Sequence, residues 1–237
     1  VTGHYVRRLG PRKNAKLFKA KDATKDQSYF LFATLNDQLD YVRFPLGDYL
    51  KSEIRSMAKN YNLVVSDKPD SQDICFVTSK SYRDFLEKIK PDINVKGNFI
   101  DASGKVIGSH KGISNYTIGQ RRGIGIGGYD VPLYVVDINK NNNEVILGKH
   151  DLLRKTSVSL KNINWLDNSI EKNNLKCKAK IRSTQIENSG VLKVNTNRVE
   201  FIFDKEINNT SPGQACVFYN EDQVLGGGWI TKTINQF

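Results

Sequence analysis

The chain contains three cysteines, and their sequence surroundings differ. Cys177 alternates with charged residues and Cys216 lies in an apolar run, so both are predicted to be core residues of β-strands. Cys75 instead follows a polar, turn-rich segment at residues 66–73 and is flanked by two apolar residues. Cys75 is therefore either a small apolar residue at the start of a buried segment or a nucleophile presented at the edge of a loop. Basic surroundings would favour the thiolate of such a nucleophile.

Four basic side chains alternate along the segment that contains Cys177. If residues 176–182 form a β-strand, Lys176, Lys178, Lys180 and Arg182 share one face, opposite Cys177. One interpretation is a solvated face whose lysines protect the edge of a sheet. The other, which the basic composition favours, is a stripe that contacts phosphate groups.

A glycine-rich segment at residues 116–128 carries two adjacent arginines, Arg121 and Arg122. A dinucleotide-binding loop is not predicted, because the pattern lacks the following helix whose N-terminus would hold a pyrophosphate. The segment is either a flexible loop that approaches a phosphate backbone or a turn with incidental arginines. The second glycine cluster, at residues 226–228, is predicted to be a bulge or a close contact between strands.

The chain of 237 residues is basic, with 36 lysines and arginines against 25 acidic residues and a net charge of +11. This surplus favours a polyanionic partner such as nucleic acid. Hydrophobic residues make up 38% and charged residues 26%, as in a globular protein. No stretch approaches the ~18 apolar residues of a membrane-spanning helix. The few cysteines indicate a reducing cytoplasm, and the scattered histidines suggest no metal site.

The N-terminal third is predicted to be mixed α/β. A short helix is expected within residues 25–32, and a longer one along the apolar stripe of residues 46–61, starting near Gly47 and ending at a left-handed Asn62. A third helix is expected at residues 79–90.

The remainder is predicted to be strands and turns. Two hairpins are expected around residues 98–107 and 133–147, followed by a domain boundary near residue 153. Five or six short strands after that boundary predict a small β-barrel or sandwich, with strands expected at residues 176–182, 190–194, 199–203, 215–219 and 223–230.

Several short motifs together resemble one known family. They include Ser-Gln-Asp-Ile-Cys-Phe around Cys75 and Tyr-Thr-Ile-Gly-Gln-Arg-Arg-Gly around Arg121. In their order and spacing they resemble the bacterial and organellar tRNA-specific 2-thiouridylases, essentially from end to end. The motifs lie at residues 2–5, 21–22, 25–31, 44–47, 71–76, 110–112, 116–123, 212–214, 217–219 and 225–228.

The resemblance implies a reaction. Members use ATP, with Mg²⁺, to adenylate the C2 oxygen of the wobble uridine of tRNA, and a cysteine persulfide then delivers sulfur to C2 while AMP leaves. Cys75 matches the family's persulfide-carrying cysteine, and a sulfur-carrier protein is expected as the persulfide donor. A disulfide bond is also expected from the resemblance. The family's second catalytic cysteine and its Ser-Gly-Gly-x-Asp-Ser loop lie upstream of the Gly-His-Tyr motif, so we expect this chain, which begins at Val1, to be an incomplete fragment.

The resemblance also assigns binding residues. Gly3 matches a backbone position beside the adenine nucleotide. Ser183 stands where members often carry a larger aromatic side chain. Gln214 matches a site that contacts the anticodon region of tRNA. The positions that match tRNA contacts are His4, Lys25, Asp26, Gln27, Arg182, Ser183 and Gln214.

The expected fold class is α/β plus β, in three parts. Residues 1–78 would be the tail of a nucleotide-binding α/β domain, residues 79–153 a small, mostly β central domain, and residues 154–237 a C-terminal β-barrel. An alternative function is a stand-alone, non-catalytic RNA-binding module, because no ATP-binding loop is found in this sequence.

Overall fold

The computed structural model describes residues 3–64, 89, 94–171, 173–195, 198–208 and 210–234. The chain divides into two compact units, one formed by residues 1–68 with 155–237 and the other by residues 69–154. The helices are α1 (Ser28–Leu31), α2 (Asn36–Tyr41) and α3 (Lys51–Asn60). The strands are β1 (Arg7–Leu9), β2 (Lys16–Phe18), β3 (Gly97–Asp101), β4 (Val106–His110), β5 (Tyr134–Asn139), β6 (Glu144–Gly148), β7 (Lys155–Trp165), β8 (Leu175–Lys180), β9 (Asn188–Asn195), β10 (Arg198–Ile207), β11 (Ala215–Asn220) and β12 (Gln223–Ile234).

Six strands of the first unit close into a β-barrel. Their order is β12-β11-β8-β9-β10-β7, and a further pairing between β7 and β12 closes the ring. The neighbours in this ring are antiparallel. The predicted barrel or sandwich is therefore a barrel, and the predicted strands β8 to β12 are confirmed. Strand β7, which closes the barrel, was not predicted.

Strand β11 is buried on both faces. Cys216 and Phe218 belong to the core inside the barrel, whereas Ala215, Val217 and Tyr219 belong to a second core outside it. A strand that is covered on both sides has no need for polar alternation, which explains its continuous apolar sequence. The triple glycine on the neighbouring strand β12 makes close contacts, as predicted. A methyl group at Gly227 would lie 2.6 Å from the Phe32 ring.

The outer core is formed by the N-terminal segment of the chain. Strands β1 and β2 form a hairpin, and β2 pairs with β12 of the barrel. Behind this hairpin, Val6, Leu17, Phe32 and Leu39 are fully or almost fully buried against the outer face of β11. Residues that are far apart in the sequence thus fold as one unit, which no local pattern indicated.

Helix α3 starts later than expected. Residues 45–48 form turns, and the helix begins at Lys51, where the Leu50 N–H donates to Glu53. The predicted stop is confirmed, because Asn62 has φ of 53°. The apolar stripe is present, but in the described part of the chain no side chain of α3 is buried, and Tyr61 is 77% exposed.

The second unit contains a four-stranded sheet in the order β4-β3-β6-β5. Both predicted hairpins are confirmed, and β3 and β6 pair in parallel between them. Phe99, Val135, Val145 and Leu147 form its core. The predicted helix at residues 79–90, the predicted loop at residues 66–73 and Cys75 lie outside the described residues. None of the described helices has the length and apolarity needed to cross a membrane.

Candidate nucleic-acid interface

Gln27 connects the Gly-His-Tyr segment to the start of α1. Its side-chain Oε1 accepts a hydrogen bond from the Tyr5 backbone N–H at 2.9 Å and lies 3.2 Å from His4 Nδ1. The Gln27 N–H in turn donates to the Tyr5 carbonyl at 2.9 Å. These bonds hold the half-buried His4 in a defined position, so two residues that were predicted to contact tRNA lie together. Beside them, Gly3 is exposed with φ of +84°, and no atom lies within 4 Å of where its Cβ would be.

Asp26 is committed to contacts within the protein. One carboxylate oxygen accepts from the N–H groups of Ala20 and Ser28, and the other accepts from the Ser28 hydroxyl at 2.6 Å. Ser28 Oγ also lies 3.1 Å from the hydroxyl of the buried Tyr219, whose pKa is raised by its burial. Asp26 therefore supports the turn from within. The half-buried Lys25 precedes it, with its N–H bonded to Asp22 O.

Tyr29 fixes α1 to the barrel. Its hydroxyl proton is shared between the carbonyl oxygens of Ala215, at 3.0 Å, and Ile181, at 3.2 Å. Ala215 starts β11, and Ile181 directly follows β8. Burial raises the pKa of Tyr29 to about 12, which keeps this hydroxyl a donor at neutral pH. The turn at residues 25–27 is thereby held beside the ends of two barrel strands.

Arg182 and Gln214 meet at those strand ends. The Arg182 Nε–H donates to Gln214 Oε1 at 3.1 Å. Together with Ser183 they line a groove of about 350 Å³, whose other lining residues are Tyr29, Phe30, Phe32, Ala33, Thr184, Ala215 and Trp229. The structure thus brings together three residues that were predicted as tRNA contacts, although Gln214 lies 32 positions after Arg182 in the sequence. Phe30 and Trp229 were not predicted as site residues.

The basic face of β8 leads toward this groove. Lys176 and Lys178 are exposed, and Lys180 and Arg182 are half-buried. Because β8 lies between β11 and β9 in a closed barrel, these lysines do not protect a sheet edge. A solvated strand face and a stripe that contacts phosphate groups both stay open as interpretations of this face. In the part of the chain that the structure describes, none of the three lysines forms an ion pair. Their charge remains available to a polyanion.

The two cysteines in the described residues are core residues, as predicted. Cys216 is fully buried and Cys177 is half-buried against the interior of the barrel. Burial raises the pKa of the Cys177 thiol to about 12 and that of Cys216 well above its ordinary value. Thiols with such pKa values are not nucleophiles at neutral pH.

The glycine-rich segment of the second unit forms a series of tight turns. Gly119 and Gly123 are among its glycines with positive φ, and Arg121 and Arg122 are exposed. The next regular element is strand β5 rather than a helix, so the helix N-terminus that a dinucleotide-binding loop would need does not follow this segment. His110 is buried nearby against aromatic rings, and burial lowers its pKa, so the imidazole is neutral at neutral pH. No group of residues suited to hold a metal ion occurs among the described residues.

Three family models match consecutive parts of the chain. Residues 1–79 match a tRNA methyl transferase HUP domain, residues 83–149 a tRNA methyl transferase PRC-barrel domain, and residues 155–230 an aminomethyltransferase beta-barrel domain. These matches agree with the predicted fold class, an α/β part followed by β domains. The domain bounds 1–78, 79–153 and 154–237 stay a prediction.

The chain is also similar to curated proteins over almost its whole length. It is 45% identical over 236 residues to the tRNA-specific 2-thiouridylase MnmA of Maricaulis maris, covering 98% of this chain and 58% of that protein. It is 46% identical over 236 residues to the enzyme of the same name from Rickettsia canadensis, covering 99% of this chain and 64% of the relative. The match to the Wolbachia pipientis wMel protein is 46% over 232 residues, covering 97% and 62%. The chain thus spans about three fifths of the length of these relatives.

Proposed function

Because the chain belongs to the family of the tRNA-specific 2-thiouridylases, we propose that it carries the tRNA-binding surface and the sulfur-carrying cysteine of an enzyme that converts the wobble uridine of tRNA to 2-thiouridine. The observation that carries this proposal is the meeting of Arg182 and Gln214 in one groove, at the end of the lysine-bearing strand β8. Guanidinium and ammonium groups bind phosphates, and an amide reads the edge of a base.

The proposed chemistry needs an activated oxygen and a sulfur nucleophile. ATP, with Mg²⁺, supplies the adenylyl group that makes the C2 oxygen of uridine a leaving group. The terminal sulfur of a persulfide on Cys75 forms the new bond to C2 as AMP leaves. The S–S bond that then joins Cys75 to the base is broken by a second cysteine thiolate, which leaves 2-thiouridine and a disulfide. A thiol reductant of the cytoplasm reduces this disulfide to two thiols, and the carrier protein's persulfide then transfers its outer sulfur to the Cys75 thiolate, which restores the persulfide and leaves the carrier as a thiol.

The residues of this chain have distinct proposed roles. Gly3 lets the adenine nucleotide approach the backbone closely, and His4, held by Gln27, contacts the tRNA next to it. Lys25 and Gln27 present the start of α1 to the RNA, with Asp26 supporting that turn from within. Arg182, Ser183 and Gln214 contact the anticodon region. Under this proposal residues 1–78 belong to a nucleotide-binding domain, residues 79–153 to a central domain and residues 154–237 to the barrel.

The sulfur chemistry is tested by Cys75→Ser in the protein as its gene encodes it, supplied with ATP, Mg²⁺, a persulfide donor and unmodified tRNA. We expect 2-thiouridine, measured by mass spectrometry of digested tRNA, to disappear while the melting temperature stays unchanged. Cys177→Ser is the matched control and should retain thiolation, because that thiol is held protonated. Thiolation by the Cys75→Ser variant, or a large fall in its melting temperature, would contradict the catalytic role and indicate that Cys75 is a structural residue.

The binding surface is tested by the double variant Lys178→Glu with Arg182→Glu. We expect weaker tRNA binding in a filter assay and a smaller dependence of affinity on salt, because fewer phosphates are neutralised. The double variant Lys193→Glu with Lys205→Glu makes the same change in charge at exposed positions of β9 and β10. If both double variants lose affinity equally, the effect is one of net charge, and the proposed surface is wrong.

A further inference from the structure

Two large aromatic side chains are exposed at the groove that holds Arg182 and Gln214. Phe30 is 65% exposed and Trp229 is 40% exposed, and both line the groove. They come from different elements, Phe30 from α1 and Trp229 from the barrel strand β12. Exposed aromatic rings beside an arginine and an amide are a combination that suits a flat ligand with a polar edge.

Each exposed ring is braced by a buried ring. Phe30 meets Tyr29 edge-on at 5.4 Å between ring centroids, and Tyr29 is anchored to the barrel through its hydroxyl. Trp229 meets Phe32 edge-on at 5.6 Å, and Phe32 is only 2% exposed. Phe32 in turn packs where Gly227 has no side chain. The two exposed rings are therefore held in place before any ligand arrives, which reduces the entropy lost on binding.

The polar wall of the groove is also held in place. The bond from Arg182 Nε to Gln214 Oε1 orients both side chains, and the Gln214 carbonyl accepts from the Ile230 N–H at 2.8 Å, next to Trp229. A guanidinium group carries five N–H donors and an amide carries two, so both groups keep donors beyond this bond. The lysines of β8 lead away from the same place, with Lys178 exposed and Lys180 half-buried.

We propose that this groove is a stacking site for an unpaired RNA base, with Phe30 and Trp229 against the face of the base and Arg182 with Gln214 at its polar edge or its phosphate. The proposal rests on the proposed function in that the partner is an RNA loop, and it adds Phe30 and Trp229 as binding residues. Ser183 has no aromatic ring, so the stacking surface is supplied by Phe30 from α1 and Trp229 from β12. The occupant is a base rather than an apolar peptide, because the groove adjoins the strand β8, whose lysines form no ion pair with any described residue.

The experiment uses Trp229 as its own reporter. The chain has two tryptophans, so Trp165→Phe leaves Trp229 as the sole tryptophan. An anticodon stem-loop RNA is titrated into this variant at low salt, and we expect quenching of the Trp229 emission that follows the binding curve. A double-stranded RNA of equal length and charge is the control, and it should bind with little quenching because it presents no unpaired base.

Affinity provides the second measurement. Phe30→Ala and Trp229→Ala should each weaken binding of the stem-loop by about 5- to 150-fold, the range for loss of one base stack. The salt dependence should stay unchanged, because neither variant removes a phosphate contact. Phe30 lies largely in solvent, so Phe30→Ala tests the site even if Trp229→Ala unfolds the barrel.

The outcomes separate this proposal from the proposed function. The stacking site alone is overturned if Lys178→Glu with Arg182→Glu weakens stem-loop binding while both aromatic variants bind within twofold of the original affinity. Quenching by the duplex that equals quenching by the stem-loop overturns it as well. Absence of any RNA binding by the unaltered chain overturns the stacking site together with the proposed tRNA-binding function.

Discussion

Tyr29→Phe is expected to destabilise the folded protein at neutral pH and to stabilise it, relative to the wild type, at high pH. The substitution keeps the ring and removes the hydroxyl that donates to Ala215 and Ile181 at 3.0 and 3.2 Å. At neutral pH the loss leaves two buried carbonyl oxygens without this donor, and the free energy of unfolding should fall by about 1–2 kcal/mol. The Tyr29 side chain is well buried, at 9% exposure, so this value needs little correction for solvent.

The pH dependence follows from the pKa of Tyr29. Burial raises it to about 12, above the value of about 10 in the unfolded chain. A group whose pKa is raised by folding contributes its full stabilisation at pH values below its pKa in the unfolded chain. This contribution is lost as the pH rises toward its pKa in the folded protein. Between pH 10 and 12 the wild type should lose about 1.4 kcal/mol per pH unit through this one group. Tyr29→Phe has no proton to lose there, so it should become the more stable protein near pH 11.

The assay is urea unfolding followed by circular dichroism at several pH values from 7 to 11.5. The quantity of interest is the difference in unfolding free energy between the two proteins, because every other titrating group cancels in it. Tyr61→Phe is the control for loss of an exposed hydroxyl, and Tyr61 is 77% exposed. A difference that stays constant with pH would show that the Tyr29 hydroxyl is not buried in the fold, and the anchoring of α1 to the barrel would then be wrong.

Two further predictions concern the packing of the N-terminal segment. Burial alone would raise the pKa of Asp167, but bonds from Lys16, Ser169 and Gln223 hold it well below its ordinary range. Asp167→Asn should therefore lower the free energy of unfolding by about 2–4 kcal/mol at pH 7. This difference should shrink progressively as the pH falls below about 4, where the unfolded carboxyl takes up a proton, and be lost only below the depressed pKa of the folded carboxyl. Gly47→Ala places a methyl group against the Val6 carbonyl oxygen, and thermal melts should show a loss of about 1–3 kcal/mol. Gly127→Ala, which meets no atom within 4 Å, should change little.

The regularly alternating strand β8 could be predicted from the sequence, whereas the irregular strand β7 could not. In β8, half-buried Cys177 and buried Ala179 alternate with lysines, and this period of two predicted both the strand and its basic face. Strand β7 is longer, but Asn162 adopts a left-handed φ of 51° within it, and its pairing with β12 shifts register twice. The alternation is broken at that point, so the barrel was predicted without the strand that closes it. Helix α2 buries only Leu39, too little for a periodic signal.

The groove could be predicted in part. Arg182 and Gln214 were assigned through the family resemblance, but their contact joins segments that no local spacing connects. Phe30 had a signal that could have been used. Tyr29 and Phe32 lie three positions apart on one side of a helix, so Phe30 between them points away from the core that they share. An aromatic residue off the buried face of a helix is an indication of a binding surface.

The proposed tRNA-contacting surface depends on two cores that meet at β11. Ala215 packs in the outer core, accepts the Tyr29 hydroxyl bond, and follows directly after Gln214, which holds Arg182. The lysines of β8 belong to the barrel itself and supply charge without further help. Phe30 comes from the N-terminal segment and reaches the groove because that segment packs on the outer face of β11. Charge attraction and base recognition therefore have separate structural origins, and a substitution in the outer core can disturb base recognition while leaving the charged strand intact.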